Sequence, residues 1–369
     1  MGKPLTTDLS KLSLKERINH IKKIANLSEQ EAEILQTGKL ELAQADRIIE
    51  NVIGTILIPI GIATNFIIND RKFLVPMATE QRSIINAANK AAEWTLSAGG
   101  FKARNTGSIM IGQVQMLGIK NHEKAKHHIL ANKQKILSLA NTQSSTRRSI
   151  DLRVRAFHSP PMLSVELLVD VKDSMGANVV NSMCETVAPL IESITQGKAL
   201  LRIVSNLATE RLVQVETTIM KDLIGGENIV NRIVSACVFA EKDPFRAATH
   251  NKGILNGVSA VLLAVGNDIR AVEAGAHAFA ARSGTYCPLS FWRKNSRGDL
   301  EGFLEMPMAV GIIGGAVSSL PAAKICLKIL SVKKATELGE VAASVGLACN
   351  LSAIYSLVTK NNACSSKRR

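Results

Sequence analysis

The middle of the chain reads QVQMLGI (113–119), HEKAKHHILANKQKILSLAN (122–141), DLRVRAF (151–157), MLSVELLVD (162–170), SMGANVVNSMCETVAPLIESIT (174–195) and KALLRIVS (198–205). The first, third, fourth and sixth of these segments alternate apolar and polar residues with the period of two that is typical of strands. The second and fifth repeat apolar residues at steps of three and four, as amphipathic helices do. The order β-α-β-β-α-β is that of a ferredoxin-like unit, so we predict an inserted small domain over residues 108–206.

The sequence on both sides of this unit predicts a larger domain that is helical or mixed. SLKERINHIKKIANLSEQEAEILQTG (13–38) and EQRSIINAANKAAEWTLSAGG (80–100) have helical periodicity, and helices with glycine-rich turns return after Asn206. We therefore expect an α+β fold in which residues 1–107 and 207–360 form one large domain. NNACSSKRR (361–369) has no periodicity and is expected to be a frayed basic tail.

Length and composition predict a soluble protein. The chain of 369 residues is long enough for two domains, and 46% hydrophobic with 21% charged residues is an ordinary globular composition. The most apolar stretch, residues 52–68, is interrupted by Pro59, Gly61 and Asn65, and the N-terminus has no apolar signal core. We expect no membrane insertion and no export, which leaves the cytoplasm as the compartment.

The net charge of +14 favours an anionic partner such as a phosphate-rich ligand. Aromatic residues make up only 4%, and no basic run alternates with them, so nucleic acid is not expected to be that partner. The six cysteines show neither CxxC nor metal-ligand spacing. We therefore predict no disulfide framework and no metal site.

Residue types alone suggest two places for chemistry, each with a structural alternative. The segment DSMGAN, which begins at Asp173, lies between a predicted strand and a helix, where free N–H groups suit a pyrophosphate; alternatively, Asp173 caps the helix and Gly176 allows close packing. Lys252 and Asp268 lie on successive predicted loops, where a carboxylate could orient an ammonium group that polarises a carbonyl; alternatively, the lysine is a solvated surface group. GIIGGA (311–316) indicates close packing, because it is not a dinucleotide fingerprint.

Eight motifs together carry a resemblance to one family. They are ENVIG (50–54), LVPMATE (74–80), SAGGF (97–101), DSMGANVVN (173–181), RIVSNLA (202–208), DPFRAATHNKGILNG (243–257), VGNDIRAVEAGAHA (265–278) and LEMPMAVGIIGGA (304–316). In this order they resemble the class II 3-hydroxy-3-methylglutaryl-CoA (HMG-CoA) reductases, and the resemblance runs to Lys360. It implies an enzyme that interconverts HMG-CoA and mevalonate plus CoA with two NAD(P)H. It also implies a homodimer, or an oligomer of dimers, with the active site at the subunit interface.

The resemblance assigns roles to individual residues. Lys252 would stabilise the oxyanion of the thioester, and Asp268 would belong to its hydrogen-bond network. The substrate carboxylate and hydroxyl would be bound by Ser83, Arg246 and Asn256. The small domain would be a non-Rossmann nucleotide-binding domain, whose cofactor contacts, with Asn206 beside it, would be Asp173, Met175, Gly176 and Asn178.

The sequence also departs from the family pattern. Gln81 stands where the family has a catalytic glutamate, with Glu80 beside it as a substitute only if the loop shifts by one residue; an amide cannot act as a general acid. The family's thiolate-protonating histidine lies in a C-terminal flap beyond Lys360, and all seven histidines precede that point, so we expect the flap to be absent, as after a frameshift. These departures keep a second hypothesis open: a catalytically impaired homologue that binds CoA esters or dinucleotides, or dimerises with an intact subunit.

Cofactor choice is the third departure. Where NAD-preferring members have an acid for the ribose hydroxyl, this chain has Ser144, followed by Arg147 and Arg148. Arginines can accept a 2′-phosphate, which favours NADPH; alternatively, both are exposed loop charges.

Overall fold

The computed structural model describes residues 9–38 and 40–359, and these form a mixed α+β structure, which confirms the predicted fold class. The helices are α1 Leu14–Ala25, α2 Glu29–Thr37, α3 Leu42–Ala45, α4 Ile84–Thr95, α5 His122–Ala131, α6 Lys133–Ala140, α7 Ala177–Thr195, α8 Glu227–Lys242, α9 Pro244–Ala264, α10 Ile269–Ala280, α11 Gly315–Ser319, α12 Pro321–Leu330 and α13 Ala335–Thr359. The strands are β1 Ile60–Ile68, β2 Arg71–Ala78, β3 Phe101–Asn105, β4 Ile109–Leu117, β5 Arg148–His158, β6 Pro161–Asp170, β7 Lys198–Ser205, β8 Leu212–Ile219, β9 Ser290–Lys294 and β10 Leu300–Pro307. The predicted basic tail, residues 361–369, lies outside the described residues.

A four-stranded unit contains the stretch that decides the fold. Its antiparallel sheet has the order β5-β6-β4-β7, and α5, α6 and α7 cover one face. Gly112 allows the close approach of α7, because a Cβ there would lie 2.5 Å from the sulfur of Cys184. The unit has an apolar core of its own, which is centred on β4, β6 and α7.

The single long helix predicted over residues 122–141 is wrong, since the structure has two helices that meet at Asn132. The backbone of Asn132 has φ −95° and ψ 13°, and its side-chain amide donates to the carbonyl oxygen of His128 at 2.9 Å. The backbone N–H of Asn132 still donates to the carbonyl oxygen of His128, at 3.1 Å, so it is the non-helical φ and ψ of Asn132 that separate the two helices.

A six-stranded mixed sheet forms the second unit, in the order β2-β1-β3-β8-β10-β9. The prediction of helices and glycine-rich turns after Asn206 is incomplete, because β8, β9 and β10 also lie in this part of the chain. The alternation was present but short: Val213, Val215 and Ile219 of β8 are buried. A strand of this length is hard to distinguish from a loop until its neighbours in the sheet are known.

The longest helix, α13, forms the centre of the second core and packs along α9. It is long and apolar enough to cross a membrane by length and composition, but 67% of its most apolar window is buried inside the protein. Because it is apolar on all sides, it behaves as the central helix of a folded domain. Its packing fixes α9, which carries Lys252.

Candidate active site

The prediction that Lys252 lies on a loop is wrong, because it lies within helix α9, which presents it to the loop that follows β2. The side chain of Asp243 caps α9 by accepting from the backbone N–H of Phe245 at 3.1 Å. Lys252 is exposed, and its Nζ donates to Oε1 of Gln81 at 3.4 Å. The structure therefore brings together two predicted site residues that lie far apart in the sequence.

The loop with Gln81 forms one wall of a large open groove of about 1410 Å³. Glu80, Gln81 and Ser83 line this groove together with residues of α1, α2, β1 and α4. Ser83 has φ 71°, in the left-handed region, although it is not glycine, and its side chain makes no capping bond to α4. Strain of this kind costs about 1–3 kcal/mol and is common at functional sites, so the geometry of Ser83 marks this wall of the groove.

The remaining residues of the predicted substrate site are Asp268, Arg246 and Asn256. Asp268 caps α10 by accepting from the N–H of Ala271 at 3.2 Å, and Nε of Arg270 lies 3.5 Å from the same carboxylate. Among the described residues no ion pair joins Asp268 to Lys252, so their pairing stays a prediction. Arg246 and Asn256 lie on α9, half-buried, on either side of Lys252 along the chain.

Beneath the exposed face of α9, a buried polar network fixes the helix to the core. Nε2 of His250 lies 2.7 Å from Oγ of Ser290, which donates to Oδ1 of Asn350 at 3.0 Å. Trp292 donates to the same oxygen at 2.8 Å. Since the hydroxyl hydrogen of Ser290 is used for Asn350, His250 must carry its proton on Nε2. This network was not predicted from the sequence, although His250 lies on the buried stripe of α9.

His250 is neutral in the folded protein. Its side chain is only 1% exposed, and Nδ1 is buried without a hydrogen-bond partner among the described residues. Burial, followed by the charge of Arg246, lowers the pKa of His250 to about 4. A neutral imidazole at this position serves to orient α9 rather than to exchange protons at pH 7.

The segment DSMGAN forms the second candidate cluster, which we call the nucleotide loop (residues 173–178). The alternative that Asp173 caps α7 is wrong, because its carboxylate accepts from the N–H of Ala335, at the start of α13, at 2.8 Å. Gly176 precedes α7 with φ 95°, and no side chain caps this helix end. The close packing suggested for Gly176 is confirmed, since a Cβ there would lie 2.4 Å from the side chain of Val171. The uncapped N–H groups of α7 are donors that suit an anionic group.

The other predicted cofactor residues differ in their exposure and in their contacts with the nucleotide loop. Arg147 is half-buried and its Nε donates to Oγ of Ser174 at 3.2 Å, while the hydroxyl of Ser144 accepts from the N–H of Arg147 at 3.0 Å. Met175 is half-buried, and Asn178, Arg148 and Asn206 are exposed. A dinucleotide phosphate would therefore find N–H groups and one arginine at this end of α7.

The segment after β10 contacts both the nucleotide loop and the residue that precedes Asp268. The N–H of Ile312 donates to the carbonyl oxygen of Asp173 at 2.9 Å. Close packing at Gly311 is confirmed, because a Cβ there would lie 2.6 Å from the backbone nitrogen of Met175. Asn267, the residue before Asp268, makes two bonds to the backbone of Gly311, at 2.7 and 2.9 Å.

Comparison with known proteins places this arrangement in context. A family model described as hydroxymethylglutaryl-coenzyme A reductase matches residues 13–365. The 3-hydroxy-3-methylglutaryl-coenzyme A reductase of Archaeoglobus fulgidus is 49% identical over 357 residues, which are 95% of this chain and 82% of the archaeal protein. A class II reductase structure from Streptococcus pneumoniae, bound to NADPH in open conformations, matches with a TM-score of 0.92 and 37% identity over 96% of this chain and 99% of the other. A second structure of the Streptococcus pneumoniae enzyme matches with a TM-score of 0.92 and 36% identity, over 96% and 87% of the two chains.

Proposed function

Because the chain belongs to the class II hydroxymethylglutaryl-coenzyme A reductase family, we propose that it interconverts HMG-CoA and mevalonate plus free CoA. When bound, two equivalents of NAD(P)H supply the two hydrides that convert the thioester to the aldehyde and the aldehyde to the alcohol. The contact between Lys252 and Gln81 carries the proposal, since it places an ammonium group beside a residue that lines a large open groove.

In this proposal Lys252 donates to the carbonyl oxygen of the substrate and stabilises the negative charge that develops on it. Asp268 orients that ammonium group in the assembled site. Ser83, Arg246 and Asn256 bind the carboxylate and hydroxyl of the acyl group, a task that suits the planar fork of an arginine. No metal has a part in these steps.

Proton donation is the weak part of the site. Gln81 has an amide where the family has a carboxylic acid, and the neighbouring Glu80 lines the same groove. Removing one positioned acid commonly costs about 10²–10⁴ in rate, so we propose that this polypeptide turns over slowly.

The same departure favours a second candidate function. A homologue with Lys252 and the nucleotide loop, but with Gln81 in place of an acid, would bind CoA esters and dinucleotides without appreciable turnover. Such a chain could also pair with an intact subunit.

For the cofactor we propose NADPH over NADH. The Streptococcus pneumoniae relative is described with NADPH bound. In this chain Arg147 lies against Ser174 of the nucleotide loop, and Ser144 removes the acid that would repel a 2′-phosphate. The nucleotide-binding domain in this proposal is the four-stranded unit, with the predicted limits 108–206.

We also propose a homodimer in the cytoplasm. Residues 49–60 form an exposed apolar segment, in which the side chains of Ile53 and Ile56 are 101% and 90% exposed. Apolar side chains in such a continuous run indicate a surface that another chain covers. A second copy would cover this segment, which continues into the groove through Ile60.

Oxidation of NADPH by the purified 369-residue chain, with HMG-CoA and separately with mevaldehyde, tests the proposal. We expect slow but measurable turnover that Lys252→Met abolishes, while calorimetric binding of NADPH is unchanged. Turnover that survives in Lys252→Met would contradict the assigned role of the ammonium group. Binding of both ligands without any turnover would favour the second candidate function.

A further inference from the structure

Arg211 is a buried cation that the proposed reaction does not use. It lies between β7 and β8, is 2% exposed, and has no ion-pair partner among the described residues. Burial, opposed by the charges of Asp173 and Asp170, lowers the pKa of Arg211 to about 10, so it stays protonated at pH 7. Burying a charge without an ion pair is costly, and such a residue is retained where its position has a use.

The guanidinium group joins two segments that follow strands of different sheets. One nitrogen donates to the carbonyl oxygen of Ser174 in the nucleotide loop at 3.2 Å, and another donates to that of Val310 after β10 at 2.5 Å. Without Arg211 both buried carbonyls would lack these donors. The same two segments also touch through Ile312 and Asp173, but that bond joins only backbone to backbone.

On its other side the segment after β10 is fixed by Asn267. Its amide donates to the carbonyl oxygen of Gly311 and its oxygen accepts from the N–H of the same residue. Asn267 immediately precedes Asp268, whose carboxylate begins α10. A continuous set of short bonds therefore runs from the nucleotide loop, through residues 310–312, to the predicted partner of the catalytic lysine.

We propose that Arg211 and Asn267 are positioning residues that hold the nucleotide loop and Asp268 at a fixed separation. The inference rests on the proposed function for the meaning of the two ends, since it takes the loop to bind the hydride donor. Arg211 acts on the cofactor end and Asn267 on the substrate end, because each bonds to a different part of the connecting segment. Neither residue touches the reacting atoms.

The test compares Arg211→Lys with Arg202→Lys, a matched control. Arg202 lies on β7 of the four-stranded unit. It bonds to Glu185 and to the carbonyl oxygen of Ala199, and neither of these belongs to the nucleotide loop. A lysine at 211 keeps the charge but cannot reach both carbonyls with the planar fork. We expect Arg211→Lys to weaken NADPH binding about tenfold or more, because it loses a charge-assisted bond to the loop. Arg202→Lys should stay within twofold.

Two further readouts separate positioning from a general loss of structure. Affinity for HMG-CoA should stay within twofold in Arg211→Lys, and the amide of Ile312 should exchange its hydrogen faster than in Arg202→Lys. In Asn267→Ala we expect affinity for HMG-CoA to fall more than affinity for NADPH. Equal loss of both ligands in Arg211→Lys, or unchanged NADPH affinity and unchanged exchange, would overturn the proposal.

A wild-type chain that binds no NADPH would count against the proposed function rather than against the positioning geometry. In that case only the hydrogen exchange of the Ile312 amide tests the positioning role of Arg211. Protection of the Ile312 amide that is lost in Arg211→Lys supports the fixed separation, and equal exchange in the two lysine variants refutes it.

Discussion

Replacing Gln81 with glutamate introduces a carboxyl group at the wall of the groove, and its effect can be worked out from the contact with Lys252. Nζ of Lys252 lies 3.4 Å from Oε1 of Gln81, so the introduced carboxylate would begin as an ion-pair partner of the ammonium group. Both side chains are exposed, and exposed pairs are worth about 0.2–1 kcal/mol. Since one pKa unit corresponds to about 1.4 kcal/mol, this pairing lowers the pKa of the introduced carboxyl by less than about one unit.

The introduced carboxyl is therefore ionised at pH 7 in the free protein. It becomes a proton donor only when bound substrate excludes water and raises its pKa. A positioned acid contributes about 10²–10⁴ in rate, or about 3–5 kcal/mol, and raising the pKa from about 4 to about 7 consumes much of this. Three pKa units cost about 4 kcal/mol, so we expect a net gain of no more than about tenfold in NADPH oxidation with mevaldehyde, a step that needs no protonation of the CoA thiolate.

The matched variant is Gln81→Met, which has a similar volume but no proton to donate. It should turn over mevaldehyde no faster than the wild type. In Gln81→Glu kcat should fall as pH rises through the pKa of the carboxyl in the complex, because the acid must be protonated to act. If Gln81→Glu is no faster than Gln81→Met while NADPH binds equally to both, the reasoning about this position is refuted.

Three further results follow from packing, burial and exposure. Gly311→Ala should lose about 1–3 kcal/mol in urea unfolding, because the new Cβ would lie 2.6 Å from a backbone nitrogen, whereas Gly253→Ala, whose Cβ would lie 3.7 Å from that of Ala353, should lose no stability. His250, whose pKa falls from 6.5 to about 4 on folding, contributes stability that is present above pH 6.5 and is lost as pH falls toward 4. The loss is about 3 kcal/mol at most, and the pH dependence of unfolding should be flatter in His250→Gln; equal slopes would contradict the buried neutral state. Ile53→Asp should shift the sedimentation of the chain from dimer to monomer, and an unchanged dimer would exclude this segment from the interface.

The four-stranded unit could be predicted because its signals are local. Each strand alternates within its own residues, and α7 repeats apolar positions over 19 residues. The break at Asn132 could not be predicted in this way, because asparagine within a helix is common and only the backbone angles of this residue in the structure show the interruption. The six-stranded sheet was largely missed, since its order joins strands that are far apart in sequence, such as β3 and β8.

Some residues of the candidate site could be predicted from the sequence and others could not. Motif resemblance pointed to Lys252 and Gln81, and the structure brings them into contact across 171 positions of sequence. Arg211 was not predicted, because its partners are backbone carbonyls, which every residue has and which leave no trace in the sequence. The contacts of Asn350 were not predicted for a related reason. Its partners lie on β9 and α9, and no local sequence pattern joins them to α13.

The carboxylate of Asp173 has a consequence for mutagenesis at the nucleotide loop. By accepting from Ala335 it anchors the first turn of the helix at the centre of the larger core. Replacing Asp173 with alanine would release that turn and also disturb the nucleotide loop. An inactive Asp173→Ala variant could therefore be read as the loss of a cofactor contact even if the side chain of Asp173 does not contact the cofactor. Alanine scanning here would misassign the residue unless the melting of α13 were followed in the same samples.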